Sequence, residues 1–211
     1  MPIIEESSPG KKSLFREYAE AIIIALILAL FIRTFVVQAF KIPSGSMRPT
    51  LLIGDHILVS KFIYGVRNPL NGNVLIPVKT PSHNDIVVFK YPKNRDQDFI
   101  KRVIGIPGDT IEIVDKKLFV NGSEIENDKG VYLDNRIVST GEGGKRDNFG
   151  PVTVPPEALF VMGDNRDNSH DSRFWSYVDF KDIRGKAFIM YWSWDREEFN
   201  VRWSRIGNLL H

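Results

Sequence analysis

The chain has 211 residues, enough to bury one sizeable core or two small ones, and its 43% hydrophobic and 26% charged content excludes wholesale disorder. Its 28 Lys and Arg are spread among 26 Asp and Glu, without the basic stripe that a nucleic-acid binder needs, so no nucleic-acid partner is expected. The absence of cysteine removes disulfides, thiol catalysis and thiolate metal sites together. His56, His83, His170 and His211 are scattered and show no ligand spacing such as H-E-x-x-H, so neither a metal nor another cofactor is expected.

Residues 1–17 read as a tail, whose first part carries Pro2, Ser7, Ser8, Pro9 and Gly10. An uninterrupted apolar run follows from Ala21 to Ile32 and continues past Arg33 and Thr34 as F-V-V-Q-A-F. Taken from Tyr18 to Val37 it supplies about twenty residues, enough to cross roughly 30 Å of hydrocarbon as a helix. A single span bounded as 18–38 is therefore expected, with Arg33 snorkelling at one end. A cleavable secretory signal is the alternative, since Lys11, Lys12 and Arg16 precede the run and Val37-Gln38-Ala39 ends it with suitable spacing. The charges on the two flanks nearly balance, with a slight lean toward a cytoplasmic N-terminus.

Beyond residue 40 the helical period disappears, and short runs rich in β-branched and aromatic residues alternate with turn signals. Strands are expected at His56–Lys61, Asp85–Tyr91, Asp98–Ile104, Thr110–Val114, Lys117–Val120, Ala158–Met162 and Gly185–Trp192. Asn71-Gly72, Pro107-Gly108-Asp109 and Asn121-Gly122 separate them, and K-L-F-V-N-G-S-E-I reads as a tight hairpin. Residues 39–211 thus form a β-rich domain. The polar stretch 127–156, with Gly141, Gly143, Gly144 and Pro155-Pro156, reads as a long surface insert with room for one short strand. The final V-R-W-S-R-I-G-N-L-L-H fits either an edge strand or a tail near a membrane surface.

Three segments could carry chemistry. In I-P-S-G-S-M-R-P-T-L, residues 42–51, Ser46 sits between Gly45 and Met47 on a turn stiffened by Pro43 and Pro49. Such a turn can bring a hydroxyl and a backbone N–H to one point, as acyl transfer requires, although a serine-rich loop leaving a helix has the same composition. In D-F-I-K-R-V-I-G-I-P-G-D, residues 98–109, strand alternation puts Lys101 with Phe99 and Val103, and Arg102 with Ile100 and Ile104. A lysine among apolar side chains loses hydration of its charged form and becomes a base, whereas one at a strand edge simply snorkels. In V-M-G-D-N-R-D-N-S-H-D-S-R-F-W, residues 161–175, the density of Asp, Asn and Arg suggests a loop locked by internal hydrogen bonds. Arg166 breaks the pattern of a calcium loop, and the adjacent Ser169, His170 and Asp171 cannot easily form a relay.

Together these segments resemble the motifs of bacterial type I signal peptidases. P-S-G-S-M-x-P-T-L, L-L-I-G-D-H-I-L-V-S-K-F-x-Y-G, D-I-V-V-F-K-Y-P, F-I-K-R-V-I-G-I-P-G-D and G-D-N-R-D-N-S-H-D-S-R-F-W occur in the family order over most of residues 36–192. The resemblance implies a β catalytic domain on one N-terminal transmembrane helix, with Ser46 as nucleophile and Lys101 as general base. It further implies an oxyanion hole from the Ser44 hydroxyl and the Ser46 N–H, a hydrogen bond from Ser169 that orients Lys101, and bracing by Asp164, Asp171 and Arg173. The apolar S1 and S3 pockets would draw on Phe40, Ile42, Pro43, Met47, Leu51, Ile57, Val88, Phe99 and Ile100. The substrates would be preprotein signal peptides cut after Ala-x-Ala. The setting would be the lipid bilayer of the bacterial inner membrane, with residues 1–17 cytoplasmic and 39–211 outside. The resemblance also favours a retained anchor over a cleaved signal. A self-cleaving repressor-type domain shares the Ser-Lys chemistry, but no DNA-binding domain is visible; a tethered β module that only binds a partner would leave Ser46 and Lys101 dispensable. The sequence does not indicate an oligomeric state.

Overall fold

The apolar run forms helix α1, Leu14–Phe31, which passes into a π-turn at Ile32–Val36. In the computed structural model, which describes residues 14–67, 74–76, 78–126, 129–138 and 144–211, none of the residues of α1 is buried. From Ala21 to Phe31 the helix is apolar on all sides and buried on none, so it has no core face of its own. The segment Leu14–Val36 is long and apolar enough to cross a membrane. The helical geometry stops at Val36, before the end expected for the span, because Val37 already pairs in a sheet.

That sheet is antiparallel throughout. Strands β1, Val37–Lys41, and β2, Asp55–Ser60, pair with Val37 opposite Ser60 and Lys41 opposite His56. A separate two-stranded ribbon joins β3, Val66–Arg67, to β4, Val74–Ile76. Then come β5, Ile86–Tyr91; β6, Asn94–Gly105; β7, Thr110–Val114; β8, Lys117–Val120; and β9, Ser123–Glu124. The chain continues with β10, Phe149–Thr153; β11, Ala158–Met162; the one-turn helix α2, Ser172–Trp175; and β12, Val178–Asp179. The last strands are β13, Ile183–Asp195, and β14, Asn200–Val201. The main sheet runs β1-β2-β13-β5-β6-β11-β12 with β14 on β13, and a second sheet runs β10-β7-β8-β9.

Alternation distributes the core over both faces of the main sheet. Along β5, Ile86 and Val88 join Ile42, Met47, Leu51, Ile57 and Met190, while Val87 and Phe89 join Val103, Val161 and Trp175. In β11, Leu159 and Val161 serve the second cluster, whereas Phe160 and Met162 face Ile104, Ile111 and Ile113 of a third. Coverage on both faces explains why A-L-F-V-M is apolar without interruption.

The expected hairpin at K-L-F-V-N-G-S-E-I is present. Val120 faces Ser123 across Asn121 and Gly122, both at positive φ, the geometry that selects Asn-Gly in a two-residue turn. Strands β6 and β13 are longer than expected. Their added ends are paired but partly exposed, so they lack an apolar alternation. The stretch 127–156 is less superficial than expected: β10 joins the second sheet, and Asp147 and Gly144 are buried. Burial of Asp147 is compensated by the Val138 N–H at 2.8 Å and by Arg146 Nε and Nη2 at 2.9 and 2.7 Å. Residues 1–13, Asn71-Gly72 and the part of that stretch holding Gly141 and Gly143 lie outside the described residues.

The C-terminal segment supplies both β14 and a return along β13. Ile189 bridges Leu209, the Leu210 N–H donates to Phe188 O at 3.0 Å, and the Leu210 side chain enters the first core cluster.

Candidate active site

The Ser46 turn hangs from the end of β1. The β1–β2 ladder is prolonged by the Ile42 N–H on Asp55 O at 2.8 Å and the Gly54 N–H on Ile42 O at 3.0 Å. Beyond it, the Arg48 N–H closes on Gly45 O at 3.2 Å and the Leu51 N–H on Met47 O at 2.8 Å. Met47 and Leu51 are buried in the core, so the turn is nailed down on one side while Ser46 stays half-buried and Ser44 exposed.

The loop after β11 grips the same turn. Asn165 donates from its backbone N–H to Ser46 O at 3.0 Å and from Nδ2 to Gly45 O at 3.1 Å. Gly163 lies so close beneath that a Cβ there would collide with Ser46 O and Ser169 Oγ. Only glycine allows this approach. The loop is braced internally, since Asp171 caps α2 at the Arg173 N–H and accepts from the Gly163 N–H at 3.1 Å. Arg173 meets Asp171 with Nε at 2.8 Å and Nη2 at 2.9 Å, and donates to the carbonyl oxygens of Arg146 and Arg166, both at 2.7 Å. Burial alone would raise the Asp171 pKa, but the Arg173 charge and these hydrogen bonds hold it below the usual carboxylate range.

Lys101, on β6, is buried and reaches this turn from the other side. Its Nζ lies 2.8 Å from Ser46 Oγ and 3.0 Å from Ile100 O, and 5.4 Å from the Phe99 ring centroid. Burial lowers its pKa to about 8, against the opposing pull of the Asp171 and Asp164 carboxylates; Arg173 lowers it further. The arrangement can therefore present a neutral amine to a serine hydroxyl near neutral pH. Proton transfer needs hydrogen-bond reach, and 2.8 Å provides it. Among the described residues no hydrogen bond engages Ser44 Oγ or the Ser46 N–H.

Asp164, whose charge is felt by Lys101, makes different contacts from its loop neighbours. It makes a buried two-pronged ion pair with Arg102 and accepts from Thr50 Oγ1 at 2.5 Å. The expected hydrogen bond from Ser169 to Lys101 is not made. Ser169 Oγ is buried against Gly163 without reaching hydrogen-bond geometry to any group, and its dipole acts on Asp171 instead.

Of the nine apolar residues expected to line the pockets, Ile42, Met47, Leu51, Ile57 and Val88 form one buried cluster, with Phe40 and Ile100 packed against it. Pro43 is exposed at the rim. Phe99 belongs to the neighbouring cluster, stacked on Tyr91 with ring centroids 4.3 Å apart, because alternation turns it away from Ile100. Phe40 and Ile100 are partly buried against that cluster, and Pro43 is exposed.

Sequence reasoning missed the contributions of Asn165, Gly163, Thr50 and Arg102. The cation on each face of β6 was a signal for Arg102, but its partner is 62 residues away in the chain. Asn165 and Gly163 were visible only as parts of a polar loop.

Comparison with known proteins places this geometry in context. Residues 15–192 match the family model described as signal peptidase, peptidase S26. The chain is 38% identical to the signal peptidase I of Pseudomonas aeruginosa, over 94% of this chain and 80% of that protein. It is 36% identical to the signal peptidase I of Aquifex aeolicus, over 84% of each. A solved signal peptidase I from Enterococcus faecalis is 35% identical with a TM-score of 0.41, covering 51% of this chain and 97% of that one. The chain is therefore a serine peptidase and belongs to the signal peptidase, peptidase S26 family.

Proposed function

We propose that this serine peptidase cleaves preprotein signal peptides through a Ser46–Lys101 dyad while α1 holds it in the bacterial plasma membrane, with the β domain on the extracytoplasmic side. The observation that carries the reading is the 2.8 Å separation of Ser46 Oγ from the Nζ of a buried lysine. Neutral Lys101 takes the hydroxyl proton as Ser46 Oγ attacks the scissile carbonyl. The oxyanion forms opposite the Ser46 N–H and the Ser44 hydroxyl, and preorganised donors of this kind contribute the larger part of such catalysis. Lys101 then gives its proton to the leaving amine, leaving an ester on Ser46. A water molecule, deprotonated by the same lysine, releases the new carboxylate and restores the hydroxyl.

Phe40, Pro43 and Ile100, apolar and not fully buried, are available to uncharged side chains, which supports an Ala-x-Ala preference before the cut. The apolar α1, with no buried residue, supports the membrane assignment, since lipid satisfies a helix without a core face. Trapping tests the chemistry: acid quenching during turnover of a peptide ester should leave an adduct whose mass maps to Ser46. An adduct elsewhere, or one retained in Ser46→Ala, would refute the nucleophile.

A further inference from the structure

Helix α1 meets the sheet at a joint built by Lys61. The helix ends in a π-turn in which the Val37 N–H closes on Ile32 O. Helix ends leave carbonyls without partners, and here one residue supplies two donors. The Lys61 N–H donates to Val36 O at 3.0 Å, one step beyond the register pair Val37–Ser60, and its Nζ donates to Thr34 O at 2.5 Å. Lys61 is half-buried, and burial, followed by the neighbouring Arg184 charge, lowers its pKa. On the helix side, the Phe31 and Phe35 rings pack 5.2 Å apart. From Val36 to Ile42 the backbone is held by the β1–β2 ladder and its Ile42 extension, and the serine turn is pinned at Gly45 O and Ser46 O. The joint itself is thus the place where the helix could swing relative to the site.

We propose that Lys61 is a positioning residue that locks the anchor to the catalytic sheet and fixes the height of Ser46 above the bilayer. The inference rests on the reading of α1 as a membrane anchor and of Ser46 as the nucleophile. Ten residues at about 3.3 Å each give the arm from Val36 to Ser46 a reach of up to roughly 30 Å. A swing of about 30° at its base would move the serine by up to roughly 15 Å, half the hydrocarbon thickness. A substrate held in the same bilayer presents its scissile bond at one height, so the clamp governs its cleavage. A short soluble peptide reaches the site at any height. A lysine that merely caps the helix would stabilise α1 and leave both the angle and this substrate distinction untouched.

The absence of cysteine allows a direct measurement. Nitroxide labels on Tyr18→Cys and Lys41→Cys, in the full chain in lipid nanodiscs, report the helix-to-strand distance by pulsed electron spin resonance. One narrow distance is expected with Lys61 present, and a broadened distribution with Lys61→Met at equal helix content. Lys61→Met should also slow cleavage of a membrane-inserted preprotein by about tenfold while sparing a soluble peptide, and Lys61→Arg should restore it. An unchanged distance distribution would overturn the clamp, as would equal losses on both substrates. If the unmodified chain cuts neither substrate, the peptidase reading falls and the distance measurement still decides the clamp.

Discussion

Arg102 and Asp164 form a buried two-pronged ion pair, Nε to Oδ1 at 2.8 Å and Nη2 to Oδ2 at 2.7 Å, one residue along β6 from Lys101. Arg102 Nη1 also donates to Asn84 O at 2.9 Å and to the carbonyl oxygen of His211 at 2.7 Å, tying the C-terminal segment to the site. The Asp164 charge supports the protonated form of Lys101. Asp164→Asn should therefore shift the acid limb of the activity profile to lower pH. It should also cost about 3–5 kcal/mol of stability, because Arg102 is left as an uncompensated buried charge. Denaturant unfolding and a pH–kcat/KM profile would check both effects, and a shift to higher pH would contradict them.

Activity of the unmodified chain should rise with pH through a midpoint near 8, set by burial of Lys101. In the proposed mechanism the base is the neutral amine, so acidification protonates it and stops proton transfer from Ser46. A profile that is flat from pH 6 to 9, or an acid limb set by a carboxylate, would count against Lys101. Chelators should leave the profile unchanged.

Lys101 should also destabilise the fold it serves. Its pKa falls from 10.5 to about 8 on folding, so the unfolded chain binds more protons between these values. The cost is fully present below pH 8 and fades as pH rises toward 10.5. At 1.36 kcal/mol per unit, Lys101→Met should gain about 3 kcal/mol at pH 7 and much less at pH 10. Unfolding midpoints at the two pH values would show it, and an equal or smaller gain at pH 7 would refute it.

Gly163→Ala tests the close approach beneath the serine. The added methyl meets backbone at Ser46 O, which cannot rotate away, so Ser46 must shift from Lys101. kcat should drop by about tenfold or more, with a stability loss of about 1–3 kcal/mol. A parallel Gly122→Ala, which meets open space but sits at positive φ, should lose stability without losing kcat.

The sequence revealed those parts of the fold whose signal is local. The Asn121-Gly122 turn, the apolar run of β11 and the period-2 alternation of β6 were readable because each is enforced by neighbours in the chain. The early end of α1 was not, since the F-V-V run suits a span and a strand equally, and only pairing of Val37 with Ser60 decides. For the site, the Ser46 turn and the apolar setting of Lys101 could be derived from residue types, and the resemblance joined them. The Ser169 contact failed because its buried hydroxyl acts on Asp171 rather than on Lys101, a choice that motif spacing does not encode. The burial of Asp147 likewise depends on Arg146 and on a backbone donor nine residues away, at Val138.

The most direct test is cleavage of a preprotein with an Ala-x-Ala site by the detergent-solubilised chain, with the cut located by mass and Ser46→Ala and Lys101→Ala run alongside. The expected result is a cut after the final alanine by the unmodified chain and none by either variant. An intact preprotein with the unmodified chain, or undiminished cutting by either variant, would contradict the Ser46–Lys101 dyad.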